Sequence, residues 1–446
     1  MDIQLKRWVE EYFDSIIRNY GMKRLTKLQS ALAEFLEREV GACGMLLEVG
    51  FGIVLLSDRL HFEEAVVACI SDGTDKDVQR AFRERGIHFI VADAEFLPLR
   101  VRFDCIVMSD VVAYLDDAYE VFGKLRDICH PGTKLVIATV NPSWMLILHM
   151  FEKLGLKGSD GPHNWLSHED IKQMLSLQGF KVSKVEKHFF KSVQLITATP
   201  LIERPKPEGA KVSFVIPCYN EEENILAAID GILKSNLFDV EVVVVDDGST
   251  DRTAELVLSL NDSRVKLVSY KPNQGKGVAV RRGFEAASGD IFVIVDADLS
   301  VSPDEAMRFV RPLATRMADF VNGTRFLYPM EPGAMSDIRF FGNKLFSVAF
   351  SWLLGQRITD TLCGTKAIRR SDYLGKISIK EKSWPDFDLL FGAAKNGLRI
   401  VEMPVHYKRR MAGKSKMKIF KHGLRLSRMI LRGILEFKLK PFLKRA

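Results

Sequence analysis

The sequence predicts an α/β protein of two domains, each a mainly parallel sheet wound with helices, closed by a basic amphipathic C-terminal helix. Three observations carry this. Short β-branched runs alternate with helical stretches along most of the chain, the pattern of repeated strand–helix–strand units. The stretch TATPLIERPKPEGA, Thr197 to Ala210, holds three prolines and no period of 2 or 3.6, and after it the alternation restarts. From Tyr407 to Ala446 there are fourteen Lys or Arg against the lone Glu436, although the whole chain carries only +7, so everything before the tail is net negative.

Taken in order, the first half offers strands at Met45 to Val49, Ala65 to Ile70, His88 to Val91, Phe103 to Met108 and Lys134 to Val140. The second offers Val212 to Ile216, Val240 to Val245, Val265 to Ser269 and Ile291 to Val295. No repeat relates the halves, so they read as two different domains, 1–196 and 211–420, with a linker at 197–210 and a tail at 421–446. In open α/β sheets, ligands sit beyond the carboxyl ends of strands, so the loops after these runs are the places to look for chemistry.

Composition narrows the class. With 446 residues, 47% hydrophobic and 27% charged, the chain is folded throughout and long enough for two cores. Six cysteines lie far apart without a CxxC pair, which excludes a disulfide framework or zinc knuckle and fits a reducing cytoplasm. The N-terminal MDIQLKRWVEEYFDS lacks the basic-then-apolar form of a leader. The most apolar stretch, Phe346 to Gly355, is too short to cross about 30 Å of hydrocarbon.

Chemistry concentrates in the second half. VVVVDDGSTDRT follows one strand and IVDADLS another, placing Asp246, Asp247, Asp296 and Asp298 at strand ends. In extended backbone, residues i and i+2 point the same way, so Asp296 and Asp298 can face one site as hard oxygen ligands for Mg²⁺ or Mn²⁺. VIPCYNEEENI at 215–225 and NQGKGVAVRRG at 273–283 flank these loops, and NGTRF at 322–326, DTLCGTKAIRR at 360–370 and WPDFDLLFGAAKNGLRIVEMPVHYKRR at 384–410 follow.

Together these motifs resemble family 2 glycosyltransferases of the GT-A fold, and within them the polyprenyl- and dolichyl-phosphate sugar synthases. The resemblance covers about Lys211 to Lys421. It implies that Pro217, Tyr219 and Glu221 line a nucleotide-sugar pocket, that Asp247 bonds the base, that Lys276 lies near base or phosphates, and that Asp296 and Asp298 hold the metal. Ser300 stands where many mannosyl relatives have Gln. Candidate catalytic residues are Asp298, Arg325, Asp360 and Asp388, with Asp386 as a further base. Arg325, Arg339 and Lys344 are candidates to pair with an acceptor phosphate. A polyprenyl phosphate, largely ionised at pH 7 with a second pKa of about 6, needs no general base, whereas a glycan hydroxyl does. A working base would therefore separate a lipid-phosphate acceptor from a surface polysaccharide or glycolipid hydroxyl.

Two segments point to a membrane surface. Phe340, Phe341, Leu345, Phe346, Phe350, Trp352, Leu353 and Leu354 crowd one helix, as core or as lipid-facing surface. In the tail, Phe420, Leu424, Leu431 and Leu435 recur near helical spacing while Lys421, Arg425, Arg428 and Arg432 supply a basic face, the form of an interfacial helix on an anionic leaflet. No nucleic-acid module accompanies the tail, so an anionic membrane surface is the expected partner and the expected location is the cytoplasmic face.

In the first half, MLLEVGFGIV at 45–54, VADAEFLPL at 91–99, FDCIVMSDVVAYLDD at 103–117 and HPGTKLVIA at 130–138 resemble class I S-adenosylmethionine-dependent methyltransferases, both halves then being Rossmann-like. The resemblance implies S-adenosylmethionine as cofactor, with Glu48, Gly50 and Gly52 cradling its methionine part and Asp93 with Ala94 on adenine. Three positions depart from it: Val54 replaces a glycine, the acid expected after the second strand is Ile70 or Ser71 with Asp72 displaced, and Tyr114 stands where His is frequent. These departures favour a domain that positions or binds partners over an active methyltransferase.

Overall fold

The computed structural model describes residues 27–50, 60–70, 80, 83–109, 111–144, 150–151, 154, 164, 166–188, 192–203, 209–235, 238–331, 335, 337–409 and 419–439. Two compact units divide the chain, Met1–Pro205 and Lys206–Ala446, each with its own sheet.

The first unit's sheet contains β1 (Ala42–Val49), β2 (His61–Cys69), β3 (Ile87–Val91), β4 (Phe103–Ser109), β5 (Cys129–Val140), β6 (Phe180–His188) and β7 (Val193–Pro200), in the order 3-2-1-4-5-7-6. Among the described strands, β7 alone runs antiparallel to its neighbours. Central β4, FDCIVMS, is apolar on both faces because helices cover both. Helix α1 (Lys27–Val40) puts Phe35 and Leu36 into the core. Helix α2 (Ala118–Asp127) is capped by Asp117, and α3 (His168–Leu177) by a reciprocal Ser167–Asp170 capping box. One boundary is corrected. Residues 197–200, expected in the linker, are the end of β7, because Ile196 and Ala198 are buried and the strand is hydrogen-bonded on both sides.

The second unit's sheet contains β8 (Lys211–Cys218), β9 (Asp239–Asp246), β10 (Val265–Ser269), β11 (Ile291–Ile294), β12 (Phe320–Thr324), β13 (Lys366–Arg369) and β14 (Ile400–Pro404), in the order 10-9-8-11-13-12-14. Here β13 alone is reversed among the described strands. The carboxyl ends of β8, β9, β11, β12 and β14 therefore meet at one edge, and the loop entering β13 reaches the same edge.

Helices α4 (Ile225–Leu233), α5 (Thr253–Ser259) and α6 (Lys276–Ala286) follow the first strands. A core of aromatic rings sits beneath α6, where Phe284 stacks on Phe292 at 4.8 Å and meets Tyr373 edge-on at 4.7 Å. Beyond lie α7 (Asp337–Leu354), α8 (Pro385–Lys395) and α9 (Ile419–Ile434). The apolar helix α7 divides between core and exposed surface. Phe350, Leu353 and Leu354 are core, while Leu345, Val348 and Trp352 are 72%, 70% and 59% exposed.

Candidate active site

A cleft of about 520 Å³ opens at the shared edge of the second sheet. Pro217, Tyr219 and Glu221 reach it from β8, Asp247 from β9, Lys276 from the start of α6, Asp296 and Asp298 from β11, and Arg325 from β12. The strand directions bring these predicted residues, which run in the chain from Pro217 to Arg325, to one cleft.

Each is fixed locally. The two first loops are stitched together: Asn220 N–H donates to Ser249 Oγ (2.9 Å), Thr250 N–H to Asn220 Oδ1 (2.8 Å), and Glu221 N–H to Thr253 Oγ1 (2.9 Å). Asp246 is buried and accepts from Ser249 N–H and Ser269 Oγ, a structural role. Asp247 accepts from the backbone N–H of Gln274 (2.7 Å) and Gly275 (2.8 Å), so its carboxylate holds the NQGKG loop as well as lining the cleft. That loop presents Lys276, whose ammonium pairs with Asp296. Burial works against the Lys276 charge, but the surrounding carboxylates, Asp296 first and then Asp386 and Asp298, together outweigh it and raise the pKa.

Gly364 explains how the loop before β13 can close over the acids. A Cβ there would lie 1.9 Å from Asp296 Oδ2, so only glycine leaves the carboxylate its place. Asp298 accepts from the backbone N–H of Ser300 at 3.0 Å. Both carboxylates line one cleft, a hard oxygen set suited to Mg²⁺ or Mn²⁺, and the cation Asp296 already attracts is Lys276. Among the described residues these two carboxylates are the acids placed for such an ion, with no cluster of three metal-binding side chains around them.

Arg325 and Asp360 form a bidentate pair, Nε to Oδ2 at 2.6 Å and Nη2 to Oδ1 at 2.9 Å, with backbone N–H groups of Arg325 and Leu362 on the same carboxylate. Burial pushes the Asp360 carboxyl up, and the Arg325 guanidinium more than reverses this, leaving it below the usual carboxylate range. Asp360 thus positions Arg325, which also lies over the Tyr407 ring at 4.9 Å. The candidate base Asp360 is thus a buried carboxylate paired with a cation.

The candidate catalytic residue Asp388 lies outside the cleft lining, takes the backbone N–H groups of Lys380 and Glu381 at 2.6 Å each, and pairs with Arg432 of α9 at 2.9 Å. Its neighbour two residues back, Asp386, does line the cleft and pairs with buried Lys366 at 3.0 Å. Both sit in the first turn of α8, where i and i+2 diverge in direction. Lys344 is not among the lining residues; its ammonium sits over the rings of Phe326 (5.1 Å) and Phe340 (5.7 Å). The Arg339 side chain lies outside the described residues. Asn273, Trp384 and Tyr407 line the cleft without having been singled out; the WPDFD and PVHYKRR segments that hold the last two were the only signal.

In the first unit, Glu48 is buried near the carboxyl end of β1, Gly50 follows with φ +99°, and Asp93 caps the short turn after β3 by accepting from Glu95 N–H. Gly52, Val54, Ser71 and Asp72 lie outside the described residues. Ile70 packs against the core.

Comparison with known proteins agrees with both halves. The model of glycosyl transferase family 2 matches residues 213–377, and that of a methyltransferase domain matches residues 20–185. A dolichyl-phosphate hexose transferase of Haloferax volcanii is 32% identical over 232 residues, which cover 51% of this chain and 96% of the relative. With that coverage, the chain belongs to glycosyl transferase family 2. An undecaprenyl-phosphate 4-deoxy-4-formamido-L-arabinose transferase of Pseudomonas fluorescens is 33% identical over 221 residues, covering 48% of this chain and 62% of the relative. Four further curated glycosyltransferases are covered over between 39% and 64% of their lengths. A solved glucosyl-3-phosphoglycerate synthase of Mycobacterium tuberculosis, with Mn²⁺, UDP and product, aligns at 25% identity and a TM-score of 0.40 over 51% of this chain and 79% of that one.

Proposed function

We propose that the protein is a metal-dependent inverting glycosyltransferase that moves a sugar from a nucleotide sugar to a polyprenyl phosphate at the cytoplasmic surface of a membrane. One observation carries the choice of acceptor. The carboxylates that could deprotonate a hydroxyl, Asp360, Asp386 and Asp388, are each paired with a cation, Arg325, Lys366 and Arg432. An ionised phosphate nucleophile needs none of them.

In this reading Pro217, Tyr219, Glu221 and Asp247 wall the nucleotide, and Asp296 and Asp298 would hold Mg²⁺ or Mn²⁺. Such an ion, when bound, supplies neutralisation of the charge on a departing nucleoside diphosphate. Lys276 and Arg325 set two fixed cations on the same cleft, Arg325 oriented by Asp360 and able to meet a phosphate oxygen.

Membrane attachment is supported by exposed apolar side chains on two helices of this unit. Leu345, Val348 and Trp352 lie on α7, Leu431 on α9, and Leu435 and Leu439 on the π-helical turn that continues it, with Lys438 over the Trp352 ring at 4.8 Å. Among the described residues no helix is long and apolar enough to cross a membrane. The first unit reads as a methyltransferase-type domain serving positioning or partner binding. Ile70 at the end of β2, where the resemblance asks for an acid, supports this, and micromolar S-adenosylmethionine binding in a calorimetric titration would overturn it.

The deciding experiment incubates the protein and Mn²⁺ with labelled UDP- and GDP-sugars, with and without a polyprenyl phosphate, and counts label in the organic phase. Label that needs lipid, metal and Asp298 is expected. Donor hydrolysis into the aqueous phase alone would favour a glycan hydroxyl acceptor and return attention to a base.

A further inference from the structure

The residue that sequence placed among the catalytic acids, Asp388, lies off the cleft but is wired to it. Its Oδ2 holds the backbone N–H groups of Lys380 and Glu381, and its Oδ1 pairs with Arg432 on α9. The loop that begins there runs on to Ser383 and Trp384, which line the cleft. The same loop buttresses the phosphate-side glycines: Gly277 N–H donates to Lys382 O at 2.7 Å, and a Cβ on Gly277 would lie 1.9 Å from Glu381 O. Between those glycines stands Lys276, the partner of Asp296.

The loop also lines a second, open cavity of about 400 Å³ together with Arg428 and Met429 of α9. Loop 380–384 therefore borders both cavities, with Ser383 and Trp384 lining each. The Asp388 carboxylate holds its start, the Gly277 bond to Lys382 O its middle, and Trp384 meets the Phe387 ring at 6.0 Å at its end. Arg432 was expected on the outer basic face of the tail helix, yet it turns inward to Asp388 and also donates to Glu436 at 2.9 Å. The helix itself is seated through Leu426, which is buried, and through Gly433, whose missing side chain lets Leu353 and Phe391 approach.

We propose that Asp388 is a positioning residue of the donor cleft, fastening loop 380–384 to α9 so that the seating of the tail helix sets the cleft wall and the start of α6. The ligand affected is the nucleoside diphosphate, which rests on the function proposed above. The fastening itself does not. By linkage, whatever shifts α9, including engagement of its exposed leucines, alters donor affinity, and donor binding steadies α9 in return.

The test uses the full chain with Arg432→Gln and Arg432→Lys, since Arg432 is partly exposed and its loss spares the core. Amide hydrogen exchange is measured without nucleotide, and UDP and GDP binding with Mn²⁺ by calorimetry. R432Q is expected to speed exchange at Lys380 and Glu381 about tenfold while leaving β8, β9 and β11 protected. It should weaken the nucleotide the wild type binds by about fivefold, raising donor KM with kcat little changed, and R432K should restore most of both. Unchanged exchange at Lys380 and Glu381 overturns the proposal, as does a loosened loop with unaltered nucleotide affinity. A wild type that binds neither nucleotide would instead sink the donor reading, and the exchange comparison alone would then decide whether Asp388 fastens the loop.

Discussion

Replacing Asp360 by Asn tests whether that carboxylate orients Arg325 or acts as a base. Asp360 is fully buried and Arg325 is 9% exposed, and two charge-assisted bonds of 2.6 and 2.9 Å join them. Asn keeps the shape and one acceptor for the backbone N–H groups, but it turns an NH₂ toward the guanidinium and leaves that charge uncompensated. Breaking a buried pair in this way costs about 3 to 5 kcal/mol, more than a hundredfold in the folding equilibrium. Arg325→Met should cost about as much, and the double variant less than the sum by at least about 1.5 kcal/mol, because the second change removes no further pair. Urea-dependent amide exchange in β12 reads these energies. The pair also has a pH signature. Because the Asp360 pKa is lowered on folding, its contribution is complete above the unfolded carboxylate value of about 4 and fades as pH falls through the folded value. Additive single effects, or a D360N protein of full stability that binds donor but has lost transfer, would refute the positioning role and restore Asp360 as a base.

Three other outcomes follow from the geometry. Gly364→Ala should displace Asp296, lowering Mn²⁺-dependent UDP or GDP affinity in calorimetry at least tenfold while the unit stays folded, since a Cβ there meets the carboxylate at 1.9 Å. Leu431→Glu with Trp352→Ser, at two exposed positions, should abolish sedimentation with phosphatidylglycerol vesicles without lowering thermal stability; retained binding would remove these helices from the membrane surface. Cys363 lines the cleft, yet burial and then Asp360 push its thiol up to about 12, so iodoacetamide at pH 8 should spare it until the chain is unfolded.

The sequence alone determined much of this protein. Runs such as VVVVD and IFVIVDAD announce buried parallel strands with acids at their ends, because β-branched residues suit a covered strand and a loop beyond the sheet edge is where a carboxylate keeps its water or a metal. The two-domain division, the family resemblances and the charged residues of the cleft wall were legible for the same reason: each rests on residues close in sequence. β12, β13 and β14 were not legible, since FVNGT, KAIR and IVEMP are only four or five residues long and are held as strands by their neighbours.

Tertiary structure decided the roles of the remaining charges. Asp360, Asp386 and Asp388 look alike along the chain. One is bound to an arginine 35 positions earlier, one to a lysine 20 earlier, and one to a helix 44 later. Which carboxylate meets which cation depends on how the reversed strand β13 brings its loop to the edge and on where α9 is seated. A charge's function is set by its partner and its burial, and neither is a property of the residue or its immediate neighbours in the chain.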